Sequence, residues 1–117
     1  FRQFRFNAGL STFQQFRKSR REAPWKDGGV EYDAVNQVYR YADDFVIAKN
    51  FATISGEPLT VRCPEGGPKG YYRCTSDQVI SESLRIRWTT FTKDADISRQ
   101  IIEVNGYVEE IYRFIED

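Results

Sequence analysis

Apolar and charged residues alternate strictly over one short stretch in the C-terminal half of the chain. Leu84, Ile86 and Trp88 are separated by Arg85 and Arg87. Because successive side chains of a β-strand point to opposite faces, this pattern predicts a strand with one buried side and one solvent-facing side. A sheet with one apolar face needs a second layer to cover that face, so the pattern restricts the chain to a layered fold.

Two further strands are predicted shortly before this one. Residues 58–63 and 70–74 have the composition of short strands, and residues 64–69 between them (Pro-Glu-Gly-Gly-Pro-Lys) predict an irregular loop. We expect the two strands to be consecutive members of an antiparallel sheet.

A helix that covers the sheet is predicted after the alternating strand. We expect it to begin at Thr92 or Asp94, and Asn105-Gly106 to end it, because such residues tolerate the left-handed backbone conformation. A last strand is predicted over residues 107–115. The fold class is therefore predicted to be α+β, a small antiparallel sheet with a packed helix. The apolar face of that helix is formed by Ile97, Ile101, Ile102 and Val104.

The segment that precedes these strands fits two kinds of structure. Apolar residues between positions 32 and 52 recur at helical spacing, whereas residues 45–47 (Phe-Val-Ile) alone would suit a strand. We favour a helix that runs through about Ala42.

The first part of the chain is basic, although the whole chain carries no formal net charge. Seven basic and two acidic residues lie in residues 1–27, a net charge of +5, and the remaining 90 residues carry a net charge of −5. A basic segment on an acidic body is typical of proteins that dock on a negatively charged partner. An ordinary solvated face that happens to be rich in arginine is the alternative.

Phenylalanine accompanies arginine in this segment, with five phenylalanines in the first 16 residues. A short helix is predicted over residues 12–20, capped by Ser11 or Thr12, and residues 24–29 (Pro-Trp-Lys-Asp-Gly-Gly) predict a turn-rich linker. We therefore predict a basic, Phe-rich arm over residues 1–29 and one α+β domain over residues 30–117. Arginine and aromatic side chains dominate interface energetics. The residues predicted to bind the partner are Arg2, Phe4, Arg5, Phe6, Phe13, Phe16, Arg17, Arg20 and Arg21.

The composition points away from an enzyme. The sequence contains no histidine, which removes the usual general base and the usual metal ligand. We expect neither catalytic residues nor a metal site. A nucleic-acid-binding module that uses the same arm is the alternative function, because bases stack on aromatic rings beside cations.

One acidic motif could nevertheless belong to an enzyme. Residues 39–47 (Tyr-Arg-Tyr-Ala-Asp-Asp-Phe-Val-Ile) resemble the Tyr-Ala-Asp-Asp box of reverse transcriptases, in which the two aspartates hold metal ions in a hairpin turn. The resemblance covers only nine residues, and a fragment of such a polymerase is the remote alternative. Otherwise we expect Asp43 and Asp44 to lie on an exposed helical turn.

Cys63 and Cys74 are the only cysteines, and they flank the Gly/Pro loop at the ends of two predicted strands. Without histidine they do not make a usual zinc site. A cross-strand disulfide, two small buried thiols and a covalently attached chromophore remain open.

Part of the C-terminal half resembles a known family. Residues 83–88 (Ser-Leu-Arg-Ile-Arg-Trp), 96–101 (Asp-Ile-Ser-Arg-Gln-Ile) and 105–108 (Asn-Gly-Tyr-Val) resemble the CpcD-like domain of phycobilisome linker polypeptides. The resemblance covers about half of the chain, and the Gly-Gly-Lys of that family is Asn105-Gly106-Tyr107 here.

The resemblance implies a non-catalytic linker or assembly subunit of a light-harvesting complex, either a phycobilisome or a photosystem-associated one. Its partners would be other subunits of the complex, including acidic phycobiliproteins. We expect no cofactor, with a covalent bilin on Cys63 or Cys74 as the alternative. Because the sequence has no methionine, we expect a processed protein of the chloroplast stroma or thylakoid surface, or a cytoplasmic one in a bacterium. No apolar run reaches the about 18–20 residues that cross a bilayer, and peripheral association with a membrane stays open.

Overall fold

A computed structural model of the chain describes residues 2–7, 9–66, 69–81, 84–93 and 96–116, without the side chains of residues 2–5, 7, 49, 50, 115 and 116. The helices are α1 (Thr12–Glu22) and α2 (Ile97–Glu116), with a 3₁₀ helix at Pro24–Gly29. The strands are β1 (Arg2–Asn7), β2 (Glu31–Asp33), β3 (Val38–Arg40), β4 (Phe45–Ala52), β5 (Pro58–Arg62), β6 (Tyr71–Ser81) and β7 (Leu84–Lys93).

The seven strands form one antiparallel sheet in the order β1-β7-β6-β5-β4-β3-β2. From β2 to β7 each strand lies beside the next one along the chain. Strand β1 lies at the edge of the sheet beside β7, where Phe6 is opposite Ile86. The α+β class, with an antiparallel sheet and a packed helix, is thus confirmed. The start of the basic segment is an edge strand of that sheet.

The core lies between the sheet and α2. Trp88 is completely buried in β7, and α2 faces it with a stripe of buried side chains. The strand predicted at residues 84–88 is confirmed and extends to Lys93, and the two strands around the Gly/Pro loop are confirmed as β5 and β6. The buried residues of the α2 stripe are Ile97, Ile101, Val104 and Val108.

The predicted end of the last helix is wrong. Asn105 is completely buried within α2, and the helix continues through Gly106 to Glu116, so the predicted strand over residues 107–115 is absent. Val108 and Ile111 continue the stripe at spacings of three and four residues, and burying it outweighs the helix cost of one glycine, about 1 kcal/mol. The start was also misplaced, because Thr92 belongs to β7; Asp94 lies outside the described residues.

The helix predicted through Ala42 is wrong as well. Residues 31–52 form β2, β3 and β4, joined by two tight turns. Gln37 and Asp44 adopt positive φ values of 56° and 75°, which a right-handed helix does not allow. The carboxylate of Asp33 accepts hydrogen bonds from the backbone N–H groups of Val35 and Asn36, which stabilises the first turn.

The helix predicted over residues 12–20 is confirmed as α1. The hydroxyl of Ser11 accepts the N–H of Gln14 at 3.1 Å, and the Gln14 side chain accepts the N–H of Ser11 at 2.9 Å. This reciprocal cap satisfies two backbone donors at the start of the helix. Arg20 and Arg21 occupy the last turn, where cations interact favourably with the helix dipole.

Candidate basic binding face

The sheet carries one helix on each side. Phe45, Arg62, Thr75 and Thr89 are neighbours in a row across β4, β5, β6 and β7, on the face opposite to Trp88. Helix α1 lies on this face, with the ring of Phe16 against that of Phe45 at 5.3 Å. We call the side of the sheet that carries α1 the basic face.

The two helices have opposite charge. Helix α1 contains four basic residues and one acidic residue, a net charge of +3. Helix α2 contains two basic and four acidic residues, a net charge of −2. Because the helices lie on opposite sides of the sheet, the molecule presents a positive side and a negative side.

Helix α1 is held on the sheet at its first residue. The hydroxyl of Thr12 accepts a hydrogen bond of 2.7 Å from the backbone N–H of Asp77 in β6. Both residues are buried, so the bond is shielded from water. It fixes the N-terminal end of α1 beside β6.

Arg20 holds the other end of α1. Its guanidinium donates to both carboxylate oxygens of Asp43 at 2.9 Å and to Asp27 at 2.6 Å. It also lies over the rings of Phe16 and Tyr41, at 4.4 and 4.9 Å. The hydrogen bonds to Asp43 raise the pKa of Arg20 above its usual value and hold the pKa of Asp43 below its usual value. Arg20 therefore fastens α1 to the β3–β4 turn.

The ion pair between Arg20 and Asp43 should stabilise the fold at neutral pH, and this contribution should be lost in acid. Since the pKa of Asp43 is lower in the folded than in the unfolded state, the pair stabilises the fold above the unfolded pKa of about 4, and its contribution is lost as the pH falls through the folded value. We expect Asp43→Asn to lower the free energy of unfolding by about 1–3 kcal/mol at pH 7. The difference from the original chain should shrink as acid protonates Asp43. Urea unfolding at a series of pH values measures both effects.

The Asp96→Asn variant is the control: Asp96 also pairs with an arginine, Arg99, but both side chains are exposed, so the variant should follow the original chain within about 0.5 kcal/mol. Some acid sensitivity should remain in the Asp43→Asn variant, because hydrogen bonds from Asn36 also lower the pKa of Asp33. If the free energies of unfolding of the Asp43→Asn variant and of the original chain change with pH in parallel, the ion pair between Arg20 and Asp43 does not contribute to acid stability.

A polar pocket of about 420 Å³ opens on the basic face beside the start of α1. Its floor is formed by β6 and β7, and its walls by α1 on one side and the end of β5 on the other. The residues that line it are Thr12, Gln15, Arg62, Pro64, Arg73, Thr75, Asp77, Arg87, Thr89 and Phe91.

Three arginines and one aspartate give this pocket its charge. Arg87 donates to the two carboxylate oxygens of Asp77 at 2.9 and 3.1 Å, and these hydrogen bonds raise the pKa of Arg87 above its usual value. Arg62 lies over the Phe45 ring at 5.1 Å, and both Arg62 and Arg73 are exposed. The lining therefore carries a formal charge of +2, held by guanidinium groups that prefer oxyanions.

The arm residues predicted to bind a partner differ in their surroundings. Phe16 and Arg20 pack against Tyr41 and Phe45 within the chain. Arg17 and Arg21 are exposed, and Arg17 lies over the half-buried ring of Phe13 at 5.9 Å. Phe6 is half exposed on β1. The side chains of Arg2, Phe4 and Arg5 lie outside the described part of the structure.

The pocket residues were not predicted from the sequence. The alternation of Arg85 and Arg87 with apolar residues did place Arg87 on a polar face. The pocket also requires Arg62 and Arg73 to lie close to it. The pairing of β5, β6 and β7 produces that arrangement, and no local pattern in the sequence gives it.

The two cysteines form a disulfide. Cys63 and Cys74 are joined between β5 and β6, and both are buried. The sequence left three states open for these cysteines, and the structure contains the disulfide. Neither sulfur is therefore a free thiol. Their chain neighbours Arg62, Pro64, Arg73 and Thr75 line the pocket, so the bridge fastens two of its sides together.

The Tyr-Ala-Asp-Asp motif forms the β3–β4 turn. The N–H of Asp44 donates to the carbonyl of Tyr41 at 3.0 Å, so the expectation of an exposed helical turn is wrong. Asp43 is bound by Arg20. Within the described ranges, no group of three or more acidic or cysteine side chains is arranged to hold a metal ion.

The chain matches no family model, and neither the curated proteins nor the solved structures include a significant match to it. In the part of the chain that the structure describes, neither helix is long and apolar enough to span a bilayer.

Proposed function

We propose that the protein is a non-catalytic binding subunit of a larger assembly and that its basic face docks on an acidic protein partner. The observation that carries the proposal is the separation of charge across the sheet, with α1 and the arginine pocket on one side and the acidic α2 on the other. Such a separation orients a protein toward a negatively charged surface.

The outward side of α1 supplies the first part of the docking surface. Arg17, Lys18 and Arg21 are exposed there, and none of the three forms a salt bridge with a described carboxylate. Arg20 points inward and holds the helix in place. The exposed cations therefore stand on a fixed helix, which reduces the entropy lost on binding.

Within this class, a phycobilisome linker is the candidate that the sequence resemblance supports, with acidic phycobiliproteins as partners. Residues 105–108, which carry part of that resemblance, lie in α2. The linker assignment therefore rests on sequence alone, and with it the chloroplast or bacterial location. Cosedimentation with purified phycobiliprotein tests it, and recovery of all the protein in the unbound fraction would contradict it.

A nucleic-acid-binding module is the second candidate function. One observation favours it: Phe91 is 43% exposed beside its cross-strand neighbour Arg73. A ring next to a cation suits the stacking of a base. The acidic side of the protein would repel a nucleic-acid strand that wraps around the protein.

A triple variant, Arg17→Gln, Lys18→Gln and Arg21→Gln, tests the proposed docking surface. Fluorescence anisotropy with a labelled polyglutamate peptide should show affinity weakened by about tenfold or more, because three cations are lost from the interface. The matched control is Arg99→Gln with Arg113→Gln on α2, which should leave the affinity unchanged. Equal losses in both variants would contradict a docking surface on α1.

The same assay with a labelled single-stranded oligonucleotide separates the two candidate functions. Tighter binding of the oligonucleotide than of polyglutamate, with affinity falling steeply between about 50 and 200 mM salt, would favour the nucleic-acid function. We expect polyglutamate to bind more tightly.

A further inference from the structure

We propose that the arginine pocket beside α1 is a binding site for a phosphate monoester. The ligand would be either a phosphorylated side chain of the partner or a free small phosphate. The inference rests on the proposed function for its biological role, since the pocket belongs to the basic face. The chemistry of the site depends on the pocket residues alone.

The pocket offers two guanidinium groups that are not neutralised by a described carboxylate. Arg73 makes no hydrogen bond or ion pair through its side chain within the described residues, and Arg62 only lies over Phe45. Arg87 is the third guanidinium, fixed in the lining by its two bonds to Asp77. A guanidinium can bind two oxygens of a phosphate at once, so Arg62 and Arg73 can hold the ligand from two sides.

The charge of the lining selects among oxyanions. Three arginines and Asp77 leave a formal charge of +2. A phosphate monoester carries about −1.5 to −2 at pH 7, whereas a carboxylate or a sulfate monoester carries one negative charge. The dianion is thus the better electrostatic match.

Neutral donors complete the site. Thr75 and Thr89 share a hydrogen bond of 3.2 Å between their hydroxyl oxygens, and one of the two hydrogens remains for a ligand. The Thr12 hydroxyl oxygen accepts from Asp77 N–H, so its own hydrogen can be donated into the pocket. Thr12 is also the first residue of α1, and the positive end of the helix dipole adds to the attraction of an anion.

Phe91 gives the pocket an apolar edge. It lies in β7 opposite Arg73 and is 43% exposed. The organic part of a phosphate ester could pack on this ring, while inorganic phosphate would gain nothing from it. We therefore expect an ester with an aromatic or apolar group to bind more tightly than inorganic phosphate.

Isothermal titration calorimetry with three probes tests the site on the whole chain. Phenyl phosphate and phenyl sulfate have similar shapes but differ by about one charge near pH 7.5, and inorganic phosphate lacks the ring. We expect phenyl phosphate to bind at least about tenfold more tightly than phenyl sulfate. Equal affinities for the two esters would overturn the charge argument.

The Arg73→Gln variant tests the position of the site. The Arg73 side chain is exposed, so the variant should fold, whereas removing Arg87 would take two hydrogen bonds from the buried Asp77 carboxylate. We expect Arg73→Gln to weaken phenyl phosphate binding by about tenfold or more. Phe91→Ala should weaken phenyl phosphate but not inorganic phosphate. Arg113→Gln on α2 is the matched control, and a loss in that variant equal to the loss in Arg73→Gln would overturn the site.

The pH dependence gives an independent readout. The chain has no histidine, and the charged groups that line the pocket are Arg62, Arg73, Arg87 and Asp77. The second pKa of a phosphate monoester is about 6, so its binding should weaken as the pH falls from about 7.5 to about 5, while that of phenyl sulfate should change little. Identical profiles for the two esters would contradict binding of the dianion.

The source of the phosphate is distinguished by comparing phosphopeptides with their dephosphorylated forms and with phenyl phosphate. A peptide that gains affinity only when phosphorylated points to a partner side chain, and equal affinity for phenyl phosphate points to a small molecule. Loss of polyglutamate docking in the α1 triple variant, together with unchanged phenyl phosphate binding, would show that the docking surface and the pocket are separate. Unchanged polyglutamate docking in the α1 triple variant, together with loss of phenyl phosphate binding in Arg73→Gln, would leave the proposed docking on α1 without support while the pocket stands. Loss of phenyl phosphate binding in the α1 triple variant would overturn the pocket, because none of its three substituted residues lines it.

Discussion

Replacing Trp88 with alanine is expected to lower the free energy of unfolding by about 3–5 kcal/mol. The Trp88 side chain is completely buried between the sheet and α2, where it belongs to the main hydrophobic cluster with Ile86, Ile101 and Val104. Its removal leaves a large cavity, because two rigid layers cannot close around it. A small domain is stabilised by only about 5–15 kcal/mol in total, so this loss is a large fraction of the stability of the fold. Urea unfolding followed by circular dichroism measures the loss.

Trp88→Phe is the matched control. The indole N–H of Trp88 has no hydrogen-bond partner among the described residues. Phenylalanine keeps a ring in the core and removes this unpaired donor, so part of the loss of packing is offset. We expect a loss of at most about 2 kcal/mol. A loss in Trp88→Phe as large as in the alanine variant would show that the indole N–H is paired in solution.

The parts of the fold that the sequence predicted correctly are those with a strong local signal. Strand β7 alternates strictly, and helix α1 begins directly after the capping residue Ser11. In both cases a few neighbouring residues carry the information, because side-chain alternation and helix capping act within one strand or one turn.

The wrong predictions arose where tertiary packing outweighed a local signal. Asn105-Gly106 is typical of a helix end, but the apolar stripe of α2 continues to Val108 and Ile111 and is buried against the sheet. The apolar residues between positions 32 and 52 fit a helical period, although Val38 is buried and Tyr39 exposed as in a strand. Too few apolar residues lie in that segment to distinguish a helical period from the period of two of a strand. The turn after Asp33 is stabilised by polar hydrogen bonds, which the apolar pattern does not reveal.

The candidate site depends even more on tertiary structure than these elements do. Its basic character could be predicted from the arginines of the first 27 residues, but the pocket draws its arginines from β5, β6 and β7. Arg62 and Arg73 become neighbours only because Arg62 pairs with Thr75 in the sheet. The charge of Arg20 predicts a partner-binding residue, whereas in the structure its guanidinium is bound by Asp43 and anchors α1.

The disulfide links the pairing of β5 with β6 to the pocket. Cys63 and Cys74 continue the pairing of Arg62 with Thr75, and the next pair is joined by a hydrogen bond of 3.0 Å from Arg73 N–H to the Pro64 carbonyl. The bridge thus fixes β5 against β6 at the place where both strands contribute arginines to the pocket. Stability and ligand binding should therefore depend on the same covalent bond.

Replacing both cysteines with alanine is expected to lower the free energy of unfolding by about 2–3 kcal/mol. The bridge closes a loop with a sequence separation of 11, and opening a loop of that length increases the entropy of the unfolded chain by an amount of this size. Urea unfolding of the Cys63→Ala, Cys74→Ala variant measures the loss. A reducing agent should bring the original chain to about the same stability and leave the variant unchanged.

Phenyl phosphate binding to the same variant separates the two roles of the bridge. If the bridge only restricts the unfolded chain, the folded variant will bind phenyl phosphate as the original chain does. We expect weaker binding, because Arg62 and Arg73 flank the two cysteines and their spacing depends on the attachment of β5 to β6. The titration is made without urea and at a temperature at which circular dichroism shows the variant to be folded. Weaker binding there, with unchanged polyglutamate docking on α1, would assign the bridge to the pocket specifically.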